Sequence, residues 1–259
     1  MVNEILHTSL SLRNIKFLFA NPSLFSVTLT SLGNLETIKK KWLEIRLKKA
    51  RQLYDKFKDI LVDESKLFQV LEEITQSMPN KNINPHLAYH LCLYVLVRVT
   101  KPESIIETGV AGGDSSALIL QALHDNKKGK LYSIDLPYAH FINSKGEEKK
   151  WDVPPEDIGR VVPDSLRDRW ELILGDSNEE LPKLLTNLGK IDFFHHDDEE
   201  IRMKWQFDLV FPHINKGGIL SSDDVNLNDS FESFCKSHNF PYVELWRNSR
   251  QSWGVTRIK

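Results

Sequence analysis

The stretch that decides the fold runs Glu103-Ser-Ile-Ile-Glu-Thr-Gly-Val-Ala-Gly-Gly-Asp-Ser-Ser116, continues through an apolar segment, and resumes at Lys130-Leu-Tyr-Ser-Ile-Asp-Leu-Pro137. It reads as a buried strand over 104–108, a glycine turn, a helix from about Ser115 to His124, and a second strand over 130–135. Short apolar runs separated by a glycine turn and a helix are the pattern of a parallel βαβ unit. Gly109, Gly112 and Gly113 permit a sharp bend and a ligand close to the backbone. Asp135 closes the second strand, where folds of this kind set an acid against a ribose diol. A nucleoside-bearing cofactor follows from that arrangement.

The spacing decides which one. A dinucleotide fingerprint beginning at Gly109 needs glycine at 111 and 114, but those positions hold Ala111 and Asp114. Asp114 also stands at the helix N-terminus, where a carboxylate repels phosphate. S-adenosylmethionine carries no phosphate, and its sulfonium is a cation. The run Glu107-Thr108-Gly109-x-x-Gly112-Gly113-x-Ser115 resembles the first motif of class I S-adenosylmethionine-dependent methyltransferases. The resemblance implies that Glu107, Thr108, Gly109, Gly112, Gly113, Ser115 and Asp135 line the cofactor site. The competing reading is a plain βα turn in an unrelated α/β protein.

Composition sets the outer bounds. The 259 residues suit one large domain with a helical extension, and a net charge of −2 gives no bulk case for nucleic acid or membrane partners. Cys92 and Cys235 match no metal spacing and read as buried thiols of a cytosolic protein. No apolar run reaches membrane-spanning length, and no signal peptide is expected, since Arg13 and Lys16 interrupt the first apolar stretch. The expected location is cytoplasmic.

Residues 1–82 read as a helical N-terminal extension. Leu35, Ile38, Trp42 and Ile45 form a stripe that Leu53, Phe57, Ile60 and Leu61 resume. Nine Lys/Arg against two acids between Lys39 and Lys58 form a solvated face, and the apolar side suits homodimer packing or cover for a site. Residues 83–259 form the expected catalytic domain. Asn84-Pro85 opens a buried helix that Lys101-Pro102 stops. His86 and His90 share a face of it but lack a third ligand.

After Asp135 comes a long insertion, residues 136–169, which leaves the carboxyl end of the sheet and reads as a lid over an acceptor site. A third strand ends before Gly175-Asp176-Ser177. Asp176, with Ser177, is either a contact to the adenine side of the cofactor or a helix N-cap. The fourth strand, Ile191-Asp-Phe-Phe-His-His196, ends at Asp197-Asp198-Glu199-Glu200, with a helix over 201–214 whose Trp205, Leu209 and Val210 face inward. The fifth strand, 219–222, ends at Asp223-Asp224. Neighbouring strands bring Asp197, Asp223 and Asp224 together; three such acids call for a compensating charge, and oxygen ligands suit Mg²⁺ or Ca²⁺. Helix caps and one solvated aspartate are the plainer alternative. Residues 241–246 and 252–258 form a closing hairpin around the turn 247–251.

Together, residues 191–197, Phe207-Asp-Leu-Val-Phe-Pro-His213 and Gly217-Gly-Ile-Leu-Ser-Ser-Asp-Asp-Val225 resemble metal-assisted O-methyltransferases of the macrocin O-methyltransferase and cephalosporin-hydroxylase-like subgroup. The likeness spans about residue 84 to the C-terminus. It implies a Rossmann-like, doubly wound seven-stranded sheet in the order 3-2-1-4-5-7-6, the last strand antiparallel. The implied reaction is O-methylation of a small hydroxylated metabolite, with Asp197, Asp223 and Asp224 as metal ligands. One departure stands out: the subgroup's basic histidine, three residues after Asp197, is Glu200 here. Glu200, His195 or His196 is left to take the proton. Two rival functions stay open, a non-catalytic cofactor-binding module and a nicotinamide-dependent oxidoreductase.

Overall fold

The computed structural model describes residues 35–59, 66–76, 85–142, 146–151, 153–248 and 251–259. Asn84, the expected N-cap, and residues 1–34, 60–65 and 77–82 of the expected extension, Ile60 and Leu61 among them, therefore lie outside it. The chain divides into units Met1–Arg46 and Leu47–Lys259, the boundary falling inside helix α1 (Leu35–Phe57). Everything that follows concerns the second unit. Helix α2 (Leu67–Gln76) buries Leu67, Val70 and Leu71 and packs on the sheet's far edge and on the next helix. Among the described residues no helix is long and apolar enough to cross a membrane.

Helix α3 (Pro85–Thr100) is buried along Tyr89–Val97, as its nearly all-round apolar sequence requires, and Pro102 follows its end. Strand β1 (Ser104–Thr108), helix α4 (Asp114–Asn126) and strand β2 (Lys130–Asp135) form the expected βαβ unit, β1 and β2 pairing in parallel from Ser104↔Lys130 to Thr108↔Ile134. The connection from β2 holds a hairpin that periodicity did not announce, β3 (Ala139–Ile142) with β4 (Glu148–Trp151). Strand β5 (Trp170–Leu174), helix α5 (Ser177–Leu188), strand β6 (Ile191–His196), helix α6 (Met203–Val210), strand β7 (Ile214–Asp223), helix α7 (Ser230–Ser237) and strands β8 (Tyr242–Asn248) and β9 (Gln251–Arg257) complete the chain.

The sheet order is β5-β2-β1-β6-β7-β9-β8, which is 3-2-1-4-5-7-6 once the separate hairpin is left out. Only β9 runs antiparallel to its neighbours. Alternate residues face opposite sides, as strand pleating requires. Ile106, Ile134, Phe194 and Leu220 enter the core under α5, α6 and α7. Their neighbours Ile105, Leu131, Phe193 and Ile219 are buried too, as a sheet covered on both faces demands.

The helix expected over 201–214 is shorter, a 3₁₀ turn at Glu200–Arg202, α6, then another 3₁₀ turn at Phe211–His213 containing Pro212. Its register also corrects the expected one. Met203, Gln206, Phe207 and Val210 are buried, while Trp205 is exposed at 38% and Leu209 is half-buried. Counting apolar residues favoured Trp205; a glutamine took the inward place.

Candidate active site

The glycine turn is built by the protein's own backbone approaching itself. Gly109 adopts φ +83°, and a Cβ there would lie 1.9 Å from the Asp197 carbonyl oxygen. The ends of β1 and β6 are that close because Asp197 N–H donates to Thr108 O at 2.8 Å, while Gly109 N–H ties the turn to β2 through Ile134 O at 2.9 Å. Gly113, at φ +88°, would place a Cβ 2.8 Å from Gly159 Cα. Gly159 and Val161 N–H donate to the carbonyls of Ala111 and Gly112 (2.8 and 3.0 Å), so residues 155–169 dock on the turn. Ala111 itself takes φ +49°, the left-handed conformation a side chain resists. Gly112 alone has an open face, its nearest neighbour being Asp114 Oδ2 at 3.6 Å. Of the three glycines expected at the site, Gly112 is the one whose Cβ position faces open space.

Asp135 reaches back to the same turn. Its Oδ2 accepts from Val110 N–H (2.6 Å) and Ala111 N–H (2.7 Å). Burial raises its pKa, and those two amides act in the opposite sense. A carboxylate offers about four acceptor sites, so capacity remains for the hydroxyls of a sugar. Glu107, wholly buried, accepts from Ser115 Oγ and Ser116 Oγ (2.6 Å each) and Ser133 Oγ (2.7 Å). Trp170 Nε1–H in turn donates to Ser133 Oγ at 2.9 Å. Glu107 and Ser115 thus brace β1, β2 and α4 from below the turn. Burial lifts the Glu107 pKa; the hydroxyls hold the rise down.

A second polar cluster lies on the other face. Thr108 Oγ1 donates to Gln206 Oε1 (2.7 Å), and Gln206 Nε2 donates to Asp198 Oδ2 (2.8 Å) and Ser177 Oγ (3.2 Å). Asp176 caps α5, its carboxylate accepting from Asn178 N–H at 2.9 Å, and it pairs with Arg202, which also donates to Ser177 Oγ at 2.9 Å and Glu199 at 3.1 Å. Asp176 is thus an N-cap of α5.

The third cluster is acidic. Asp197 and Asp223 both have pKa values pushed up, first by burial and then by neighbouring acids: Asp223 and Asp224 act on Asp197, and Asp224 lifts Asp223 to about 8. Tyr89 Oη–H, from α3, donates to Asp197 Oδ2 at 3.1 Å. Its ring stacks on Trp253 (6.3 Å) and lies 6.0 Å from His195. Asp224 holds φ +54°, a conformation aspartate tolerates better than most residues. Among the described residues no three His, Cys, Asp or Glu side chains stand in a metal-holding arrangement. The donor atoms are oxygens and match a hard cation; their arrangement as it stands does not.

The adjacent histidines point to opposite faces. His195 Nδ1 hydrogen-bonds with Ser221 Oγ at 2.9 Å, His196 Nδ1 with Ser222 Oγ at 3.1 Å, and both rings are buried. Burial pulls their pKa values down to about 3 and about 4; for His196 the charges of Asp198 and Glu200 act weakly against it. Glu200 lies half-buried on the first 3₁₀ turn, where its carbonyl accepts from Asn228 Nδ2 at 2.8 Å. Sequence reasoning missed Tyr89, Arg202, Asp198 and Gln206. Tyr89, Arg202 and Gln206 were each one polar residue in an otherwise unremarkable helix or turn, and Asp198 stood inside the acidic run 197–200.

Residues 106–225 match the family model described as "Methyltransferase domain". That segment is similar to methyltransferase domains, and the sheet built around it has the fold of solved O-methyltransferases. The solved O-methyltransferase TomG from Streptomyces achromogenes, in complex with SAM, shares the fold with a TM-score of 0.51 at 15% identity, covering 73% of this chain and 89% of that one. The O-methyltransferase from Bacillus cereus in complex with SAH gives 0.49 at 15% identity over 79% and 96%. A putative O-methyltransferase from Klebsiella pneumoniae gives 0.49 at 14% over 73% and 89%. No curated protein matches. Gly112, Asp135 and the loops after β5 and β6 form a rim at the carboxyl edge of the sheet.

Proposed function

We propose that this protein transfers the sulfonium methyl of S-adenosylmethionine to a hydroxyl of a small metabolite. The observation that carries the reading is the placing of Asp197, Asp223 and Asp224 beside the glycine turn, at the carboxyl ends of β6 and β7. The hydroxyl oxygen attacks the methyl carbon, the S–CH₃ bond breaks as the O–CH₃ bond forms, and neutral S-adenosylhomocysteine departs. Holding donor and acceptor in line supplies most of the acceleration.

The hydroxyl proton needs an acceptor. His196 titrates near 4 and is buried against Phe207, so it is a weak base at neutral pH. Asp223, lifted to about 8 by burial and then by Asp224, and Asp197, raised by burial and its neighbouring acids, match the task better. Mg²⁺ or Ca²⁺ would be held by Asp197, Asp223 and Asp224 only once these side chains rearrange, and it would then lower the acceptor's pKa. The hairpin β3–β4 is the part of the 136–169 insertion that suits an acceptor lid, because residues 155–169 are already docked on the turn. The 1–82 extension remains our candidate for homodimer contact.

Calorimetry with S-adenosylhomocysteine, with and without Mg²⁺, tests the reading. Binding to the wild-type chain and loss of it in Asp135→Ala are expected. Methyl transfer to a hydroxylated acceptor that persists undiminished in EDTA removes the metal. Cofactor binding without transfer to any member of a broad acceptor panel replaces the enzyme with a binding module. A melting-temperature rise with NADH but not S-adenosylhomocysteine overturns the donor assignment, since only a bound ligand raises stability by mass action.

A further inference from the structure

Gln206 is wholly buried on α6, on a stripe whose other members, Met203, Phe207 and Val210, are apolar. A buried amide without partners is costly, so an uncharged polar side chain kept there has its hydrogen bonds made. Its orientation is fixed by chemistry. Asp198 Oδ2 accepts, so the Nε2 donors must face it, and Oε1 is left for the Thr108 hydroxyl. The same amide reaches Ser177. Thr108 ends β1 directly before the glycine turn, Ser177 opens α5 after β5, and Asp198 follows β6. These are three separate loops at the carboxyl edge of the sheet, the edge where such folds take ligands.

We propose that Gln206 is a positioning residue for the methyl donor: one amide locks the β1, β5 and β6 loops into the spacing that the donor's adenosyl group requires. The proposal rests on the donor-site reading above. Gln206 does not touch the reacting atoms. It acts through Thr108, Ser177 and Asp198, which also bind one another's neighbours: Ser177 Oγ donates to Asp198 Oδ2 at 2.6 Å, and Asp197 N–H to Thr108 O. Replacing the amide by an apolar group leaves the Thr108 hydroxyl and the Asp198 carboxylate each one hydrogen bond short inside the protein. The loops then relax apart, and the donor meets a rim of the wrong width.

The test is the dissociation constant of S-adenosylhomocysteine, measured by calorimetry on the full chain for wild type, Q206M, S177A and Q206M/S177A. Circular dichroism checks that each is folded. Q206M is expected to weaken binding at least tenfold, and the double variant to bind within twofold of Q206M alone, because both act through one contact. A general loosening of the fold would make the two losses multiply, and that result overturns the proposal. Q206E, of the same size and with an acceptor still facing Thr108, sets a carboxylate against Asp198 and carries the test if Q206M does not fold. It too should weaken binding at least tenfold. Wild-type binding with Q206M and Q206E both within twofold of it overturns the proposal and leaves the donor reading standing. Failure of the wild-type chain to bind overturns both.

Discussion

At the residue scale, the two glycines with positive φ and the one without do different work. Gly109 has the Asp197 carbonyl where its Cβ would go, and that carbonyl is held by strand pairing. Gly109→Ala combines left-handed strain with a backbone clash, so a loss of about 2–5 kcal/mol is expected in urea unfolding. Gly112→Ala meets nothing closer than 3.6 Å and should alter stability by only about 0.5 kcal/mol. Its effect belongs to the ligand: S-adenosylhomocysteine affinity should fall in G112A although the fold does not suffer. Equal affinity in G112A and wild type would move the donor away from this turn. Spacing in the sequence announced a glycine turn and could not say which glycine faces protein and which faces open space. That depends on Asp197 and Gly159, 88 and 46 residues away from the glycines they touch.

Elements raise a different question, since one side chain can serve both a helix and a neighbour. Asp176 caps α5 and also pairs with Arg202 from the turn before α6. Asparagine caps about as well as aspartate, whereas alanine does not cap. Asp176→Asn should therefore leave stability within about 0.5 kcal/mol of wild type, because the part-exposed ion pair is worth about 0–1 kcal/mol, while Asp176→Ala costs about 1–2 kcal/mol. Thermal unfolding of the pair distinguishes the roles; if D176N falls as far as D176A, the ion pair dominates. The elements themselves were largely legible. The strands of the βαβ unit, the buried helix before them and the closing hairpin lie where apolar runs and turn residues set them. Helix α6 was misread by one residue. Trp205 is more apolar than Gln206, yet Gln206 has three polar partners waiting inside and Trp205 has none among its hydrogen bonds there.

Across the whole molecule, the buried ionisable groups set how stability responds to pH. His195 and His196 have folded pKa values depressed from 6.5 to about 3 and about 4. The unfolded chain takes up their protons first, so the stability they confer is complete above 6.5 and is lost as pH falls toward 4. Asp223 is the opposite case, raised from 3.8 to about 8 with Asp197 also raised. The folded chain holds those protons longer, so stability falls as pH rises from 3.8 to 8. Below 6.5 the two effects oppose each other; between 6.5 and 8 the acids act without the histidines. The urea midpoint of the ligand-free chain should therefore fall from pH 6.5 to pH 8, and Asp223→Asn should flatten that fall. A wild-type midpoint that stays level or rises over this interval contradicts the acid cluster.

The strand order came from the resemblance to a known family, while by itself the sequence determined the glycine turn, the acid at the end of β2 and the acids at the ends of β6 and β7. These follow from local periodicity and from residues that allow only one backbone shape. Only the tertiary structure decided that Gly109 and Gly113 make room for the chain itself, that three serine hydroxyls donate to Glu107, that Asp176 caps a helix, and that a glutamine joins three loops. Each of those depends on which distant atom stands 2–3 Å away, and pattern along the chain does not encode that distance.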